Sequence, residues 1–185
     1  SDADNRIIAF MDANGITGLN LNNDEQVPEG LKQLEGSSSS DSSELQEWRK
    51  QYWAEIKELM RIKGLDFRTT PTTRNYYQMS IGVTGISLIN SINRNSGECW
   101  CGIYIEKQQA DEYYPKFKSV KDELDRQIPN LEWIHEDGKY ASIRIGKSFA
   151  NILNSEIREE SKGWFAETSV QFNNVFKPIV EQIFK

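Results

Sequence analysis

Between Leu45 and Met60 the apolar residues Leu45, Trp48, Tyr52, Ile56, Leu59 and Met60 recur three and four positions apart, the spacing of one face of a helix. Ser43, followed three residues later by Gln46, gives this helix a capping-box start, and Gly64 gives it a stop. Beyond Pro71 the period changes. Tyr76 to Ile81 and Ile86 to Ile92 read as strands joined by a turn over Gly82 to Gly85. After a second turn at Asn93 to Gly97, the stretch from Cys99 to Glu106, rich in Trp, Ile and Tyr, reads as a third strand. Helical spacing returns at Ala110, Tyr113, Tyr114, Phe117, Val120, Leu124 and Ile128, where Pro115 is expected to start or kink the helix and Pro129-Asn130 to end it. Leu131, Trp133 and His135 then alternate towards Asp137-Gly138, a two-residue hairpin signal, with Tyr140 to Ile145 as the returning strand. A last stripe from Trp164 through Phe165, Thr168, Phe172, Val175, Phe176, Ile179 and Ile183 predicts a final helix interrupted at Pro178. The order α, βββ, α, ββ, α predicts an α+β domain over residues 44–185, a mainly antiparallel sheet of about five strands packed by three helices.

Residues 1–43 read differently. Asp4 to Ala13 has the apolar residues Ile7, Ile8, Phe10 and Met11 for a short helix, too short to be stable alone. From Gly15 onwards the chain is poor in apolar residues and ends in the serine-rich run from Gly36 to Ser43, the composition of a tether. A flexible arm is expected, and with it a chain that continues something longer upstream of Ser1.

Charge sharpens this division. The whole chain of 185 residues carries a formal −6, but residues 1–44 hold nine acids against two bases, a net −7, which leaves +1 for the remainder. The acidity belongs to the arm and argues nothing about what the folded part binds. Within the folded part, Arg49 to Arg74 holds seven bases against three acids, a local +4. Its later members Arg61, Lys63, Arg68 and Arg74 are the candidate nucleic-acid contacts, since clustered cations supply most non-specific affinity for phosphate. The plainer reading of Lys57, Arg61 and Lys63 is cations complementing a helix C-terminus.

No apolar run approaches the roughly 20 residues that span a bilayer, and two cysteines two positions apart suit neither a disulfide loop nor a secreted scaffold. The expectation is a soluble cytoplasmic chain in a reducing compartment, without a membrane partner.

The remaining motifs weigh towards structure. Cys99, Cys101 and His135 offer three soft ligands, but a structural zinc needs a fourth and the chain has no other Cys or His. Small residues in a buried strand are the better account of the cysteines. Glu136-Asp137-Gly138-Lys139 contains an acid-x-Lys spacing used by metal-dependent nucleases, yet the upstream carboxylate such a site needs is missing and Asp137-Gly138 suits a turn. Gly82-x-x-Gly85 joins two strands and lacks the helix start of a phosphate loop. Of the five tryptophans, Trp53 falls off the main stripe and is expected at an edge or a partner surface. No catalytic residue, metal site or cofactor is predicted.

The string Tyr76-Tyr77-Gln78-Met79-Ser80-Ile81-Gly82-Val83-Thr84-Gly85-Ile86, then Leu131-Glu132-Trp133, Gly138-Lys139, Ser142-Ile143-Arg144-Ile145, Trp164-Phe165 and Phe176-Lys177-Pro178, resembles a prokaryotic family known as domain of unknown function 4268. The likeness covers about residues 45–185, with Val83 standing where that family often carries a basic or polar residue. The resemblance implies an α+β domain of bacteria and archaea, commonly C-terminal to nuclease-like modules in proteins linked to DNA restriction or defence, and it implies no catalytic residues.

Two functions are expected on these grounds. The first is a non-catalytic accessory module that positions a nuclease-like neighbour on DNA or RNA through Arg61, Lys63, Arg68 and Arg74. The second is a protein-interaction or dimerisation module, acting through the C-terminal aromatic helix or a sheet edge, with a homodimer or the upstream nuclease-like domain as partner. A stand-alone enzyme ranks below both for want of clustered titratable residues.

Overall fold

The structure is a computed structural model and describes residues 43–184. The expected arm and its short helix over Asp4 to Ala13 lie outside the described residues, Ser43 excepted.

The described residues form nine elements in the order α1 (Ser43–Ile62), β1 (Tyr76–Ser80), β2 (Ile86–Ile92), β3 (Glu98–Ile105), α2 (Lys107–Lys118), α3 (Lys121–Gln127), β4 (Glu132–Glu136), β5 (Tyr140–Ser148) and α4 (Ser155–Phe184). The strands form one sheet in the order β1-β2-β3-β5-β4, every pair antiparallel. The domain is α+β, as its pattern predicts. Because α2 and α3 carry the chain from β3 past one position, β5 returns between β3 and β4 and the hairpin leaves β4 on the edge.

α1 stops where Gly64 takes φ +87°, with Leu65 N–H donating to the Met60 carbonyl and Gly64 N–H to that of Arg61. This is the Schellman arrangement, which a side chain at Gly64 would strain. The chain then runs back along α1, held by Lys57 Nζ on the Thr69 carbonyl at 3.0 Å and Trp53 Nε1 on the Arg74 carbonyl at 2.8 Å.

Three expectations are corrected. The single helix expected over Ala110 to Ile128 is two helices, which brings the total among the described residues to four. Pro115 does not start α2 but sits inside it. The break falls at Ser119-Val120, where Ser119 Oγ donates to the Lys116 carbonyl at 2.7 Å and Val120 N–H reaches only three residues back, to Phe117. A serine hydroxyl competing for helix carbonyls in this way weakens the next turn. Likewise α4 continues through Pro178, because Phe176, Ile179 and Val180 remain buried around it and outweigh one lost backbone bond. The third concerns β4 and β5, which are joined by three residues, Asp137 to Lys139, not two. Gly138 has φ +68° while Asp137 stays out of the left-handed region, so the turn is not the double left-handed type that a two-residue Asp-Gly loop adopts.

All four helices contribute buried side chains to one cluster on a single face of the sheet. There Tyr77, Met79, Leu88, Cys101, Ile103 and Ile143 meet Ile56 of α1, Phe117 of α2, Leu124 of α3 and Phe172 and Phe176 of α4. Trp53 belongs to it. Its ring is fully buried, 6.1 Å from Tyr77 and 5.6 Å from Phe165. The expected edge position is therefore wrong: α1 is covered by both the sheet and α4, so the flank beside its main stripe is interior too. Burying such a ring contributes about 3 kcal/mol. Polar pairs fix α4 against its neighbours, with Tyr52 Oη 2.7 Å from Ser161 Oγ and Asn90 Nδ2 2.9 Å from Ser169 Oγ. Lys162, 4% exposed, reaches Glu55 on α1 and Glu159 on its own helix.

The alternate residues of the same strands form a second cluster. Tyr76, Ile89, Trp100, Tyr104 and Tyr140 are each 3% exposed or less, with Ile134 partly buried against them. Among the described residues no helix contributes to this cluster. Two-residue periodicity thus produces two apolar faces, of which the helices of the described residues layer one.

Candidate functional site

The second face carries the most unusual chemistry in the domain. Side-chain alternation places Tyr76 and Gln78 of β1, Ser87, Ile89 and Ser91 of β2, Trp100, Gly102 and Tyr104 of β3, Tyr140, Ser142 and Arg144 of β5, and Glu132 and Ile134 of β4 on it. Register brings the polar members into adjacent rows. Ser91 is paired with Trp100, Tyr104 with Ser142, and Arg144 with Gly102 on one side and Glu132 on the other.

Arg144 sits at the centre. Its guanidinium carbon lies 5.1 Å from the centroid of the Trp100 ring, within the range of a cation–π contact. Gly102 makes room for it, since a Cβ there would come within 2.4 Å of both Arg144 Cβ and the Ile143 carbonyl oxygen. Next to this pair, Tyr104 and Tyr140 stack with centroids 5.6 Å apart.

A buried guanidinium keeps its proton, so it needs an anion. Arg144 is 1% exposed, and its ion pair among the described residues is long, Nε to Glu132 Oε2 at 3.4 Å. Nη1 has no hydrogen-bond partner among the described residues. Burial pushes its pKa down, a tendency that Glu132 only partly opposes. Ser91 Oγ, Trp100 Nε1 and Ser142 Oγ are also buried without partners among the described residues. Each such group costs about 1–3 kcal/mol. All four can donate, so the chemistry they would accept is an oxygen-rich anion, a phosphate or carboxylate, flanked by rings on which a flat group can stack.

The family's sequence model matches residues 48–180, from α1 to α4 and across every strand. The chain belongs to the family described as Domain of unknown function (DUF4268). Neither a curated protein nor a solved structure matches it.

The sequence-predicted cations of this DUF4268 domain do not converge. Arg61 pairs with Glu58 at 2.6 Å and Lys63 with Glu167 of α4 at 3.2 Å. Arg68 is exposed. Arg74 is held at Trp53, whose Nε1 bonds its carbonyl, and Trp53 stands eight residues, about 12 Å of helix rise, before Arg61 on α1. Only Arg74 adjoins the helix-free face, its Nη1 donating to Tyr76 Oη at 2.6 Å. Arg49 and Lys57 turn to loop carbonyls at Thr73 and Thr69.

Sequence reasoning missed Arg144, Trp100, Ser91 and Ser142. Spacing puts Trp100 in the core, and Tyr140 to Ile145 reads only as the returning strand of a hairpin. The signal that fails in the sequence is burial, which depends on what lies over that face.

Of the other candidate groups, Asp111, His135 and Asp137 bring their ligand atoms within 4.8 Å of one another, while the two cysteines lie apart from them. Cys99 and Cys101 are free and buried on the helix-covered face, and burial pushes both thiols well above their ordinary range. His135 stands level with Ile105 of β3, four residues from Cys101, so the three soft ligands do not meet. His135 instead contacts Asp111 at 2.9 Å and lies 3.8 Å from Asp137, whose side chain is 99% exposed. Glu136 and Lys139 pair with each other across the turn.

Proposed function

We propose that this DUF4268 domain is a non-catalytic accessory module of a nuclease-associated or defence-related prokaryotic protein, and that it holds single-stranded nucleic acid on the helix-free face of its sheet. The observation that carries this reading is Arg144, a buried guanidinium over Trp100 whose Nη1 has no partner among the described residues. A phosphate would satisfy it, and unpaired bases would stack on Trp100, Tyr104 or Tyr140 once that face, at most 3% exposed in the free chain, is opened, a contact contributing about 1–3 kcal/mol per base. A sheet face with recessed donors suits a strand whose bases are splayed out better than a closed duplex. Arg74 at the β1 edge, with exposed Arg68 and the paired Arg61 and Lys63 beyond it, supplies cations along which a backbone would continue. The nuclease context is what the family resemblance implies.

The test is fluorescence anisotropy of labelled single-stranded and duplex DNA and RNA with the 185-residue chain across a salt series. Single strands should bind, with affinity falling linearly in log salt. Arg144→Gln should weaken binding about tenfold or more, the loss of a charge-assisted hydrogen bond. Joint reversal of Arg61, Lys63, Arg68 and Arg74 to Glu should lower affinity and flatten the salt slope. Full affinity in Arg144→Gln would move the site to the basic segment. No binding at low salt, together with a concentration-dependent dimer, would instead support the protein-interaction reading.

A further inference from the structure

The hairpin end of β4 brings together three side chains that come from three different elements. His135 is paired with Ala141 of β5, and Ala141 with Ile105, the last residue of β3. α2 begins two residues after Ile105, at Lys107, so its Asp111 comes to lie beside the imidazole, with Oδ1 2.9 Å from Nε2. Asp137, the first residue after β4, approaches the same ring from the turn, its Oδ1 3.8 Å from Nδ1. One ligand atom from each of the three lies within 4.8 Å of the other two. Tyr114, further along α2, stands against the imidazole with ring centroids 4.8 Å apart and planes 30° apart, and so holds the ring between the two carboxylates.

Charge leaves the set incomplete. Among the described residues neither Asp111 nor Asp137 pairs with a Lys or Arg, whereas their chain neighbours Glu112 and Glu136 pair with Lys116 and Lys139. Two carboxylates therefore face one imidazole with no basic side chain between them.

We propose that Asp111, His135 and Asp137 bind one divalent first-row transition-metal ion, of the class of Zn²⁺ or Mn²⁺. An imidazole in the set favours these ions over Mg²⁺ and Ca²⁺, which take oxygen ligands. Donors about 2.1 Å from one ion stand about 3.0–3.4 Å apart at octahedral or tetrahedral angles. The 2.9 Å between Nε2 and the Asp111 oxygen is already close to that spacing, and the ion takes the place of the proton between them. Asp137 has further to move, and its exposed side chain on the turn can swing without disturbing the core. Three protein donors make an open set, in which water or an anionic oxygen fills the remaining positions. The bound ion would join α2 to the β4–β5 turn. Tyr114 places His135 on the helix-covered side of the sheet, whereas its neighbour Ile134 packs on the other, so the site is separate from Arg144 and does not rest on the nucleic-acid reading.

The experiment is titration of the 185-residue chain, isotopically labelled at histidine nitrogen, with Zn²⁺, Mn²⁺ and Mg²⁺ as simple salts, followed by NMR and by isothermal titration calorimetry. His135 is the single histidine of the sequence, so its ring resonances report this site whatever other acids of the chain bind. One Zn²⁺ per chain should bind and shift a ring nitrogen resonance. Mn²⁺ should bind less tightly and broaden that resonance, and Mg²⁺ should leave it in place. Asp111→Asn and Asp137→Asn, both at exposed positions, should each weaken Zn²⁺ binding at least about tenfold. Asp122→Asn, an exposed carboxylate on α3, should leave the affinity unchanged. Unmoved ring resonances at saturating Zn²⁺ would overturn the proposal. Full affinity in both Asp111→Asn and Asp137→Asn would also overturn it, because the imidazole alone would then account for the binding. An equal response to Mg²⁺ would overturn the transition-metal assignment, and one ion for two chains would overturn a site built within one chain.

Discussion

Trp53 Nε1 donates a 2.8 Å hydrogen bond to the carbonyl oxygen of Arg74. The bond ties the middle of α1 to the last residue of the basic loop, just before the strand that brings Tyr76 onto the aromatic face. A tryptophan whose helical phase suggests an edge is thereby the clamp that sets where the candidate site begins. Trp53→Phe keeps an aromatic ring but leaves the carbonyl without its donor and opens space beside Tyr77 and Phe165. We expect a loss of about 1–3 kcal/mol in urea unfolding. A midpoint unchanged from the parent would show that the loop holds without the bond.

Arg144 separates stability from function. A buried charge whose ion pair among the described residues is long costs more than it returns, so Arg144→Met should leave the domain as stable or raise its stability by about 1 kcal/mol. The same change should remove single-strand binding. Thermal melts and anisotropy on one preparation test both halves, and a variant that melts well below the parent would mark Arg144 as a structural residue of the sheet.

Gly102 is the space through which Arg144 crosses to Trp100. The Cβ of Gly102→Ala would meet β5 backbone and Arg144 Cβ at 2.4 Å, too close for either to yield without moving the strand pair. A loss of about 2–3 kcal/mol is expected, with increased acrylamide quenching of tryptophan fluorescence as the Arg144–Trp100 contact is disturbed. A parent-like melt and quenching curve would mean that the two strands separate at little cost.

Acid should loosen the helix layer before the sheet. Burial alone would raise the Glu55 pKa, but the bonds from Lys162 and Gln51 outweigh it and hold the carboxyl below its ordinary 4.5. Asp125 behaves similarly, with burial opposed by Lys121 and Trp133, and lies below 3.8. A depressed folded-state pKa contributes stability that is present above the unfolded value and lost as pH falls through the folded one. Stability should therefore be flat above about pH 5 and fall below about pH 4.5. Glu55→Gln should reduce that slope and lower the stability at neutral pH, and an identical acid limb in the variant would exclude Glu55 as a contributor.

Both thiols should be inert in the native protein. Cys101 is fully buried with Sγ 3.8 Å from Ser169 Oγ, and burial disfavours its thiolate. Reaction with Ellman's reagent should be at least about a hundredfold slower in the folded chain than in urea. Rapid modification of one thiol in the native state would reveal an opening of β3 that the packing does not suggest.

Much of the fold is legible in the chain. Residues three and four apart from Leu45 to Met60 mark the buried stripe of α1, and the runs around Gly82–Gly85 and Asn93–Gly97 mark the meander with boundaries within a residue. The break after Pro115, the length of the Asp137–Lys139 turn and the burial of Trp53 are not legible there, because each depends on competition among partners that are distant in sequence or nearly equal in energy.

By itself the sequence determined the local periods: which stretches are helical or extended, which residue of each strand shares a face with which, and that the net negative charge is confined to the first 44 residues. Periodicity does so because side-chain direction is fixed by backbone geometry within an element. Only the tertiary structure decided that β5 returns between β3 and β4, that Gly102 therefore lies beside Arg144, and that Arg144 is buried over Trp100 without a full set of partners among the described residues. Those facts depend on the pairing of segments some 40 residues apart and on what covers a face, and neither is encoded in the spacing of residues along one strand.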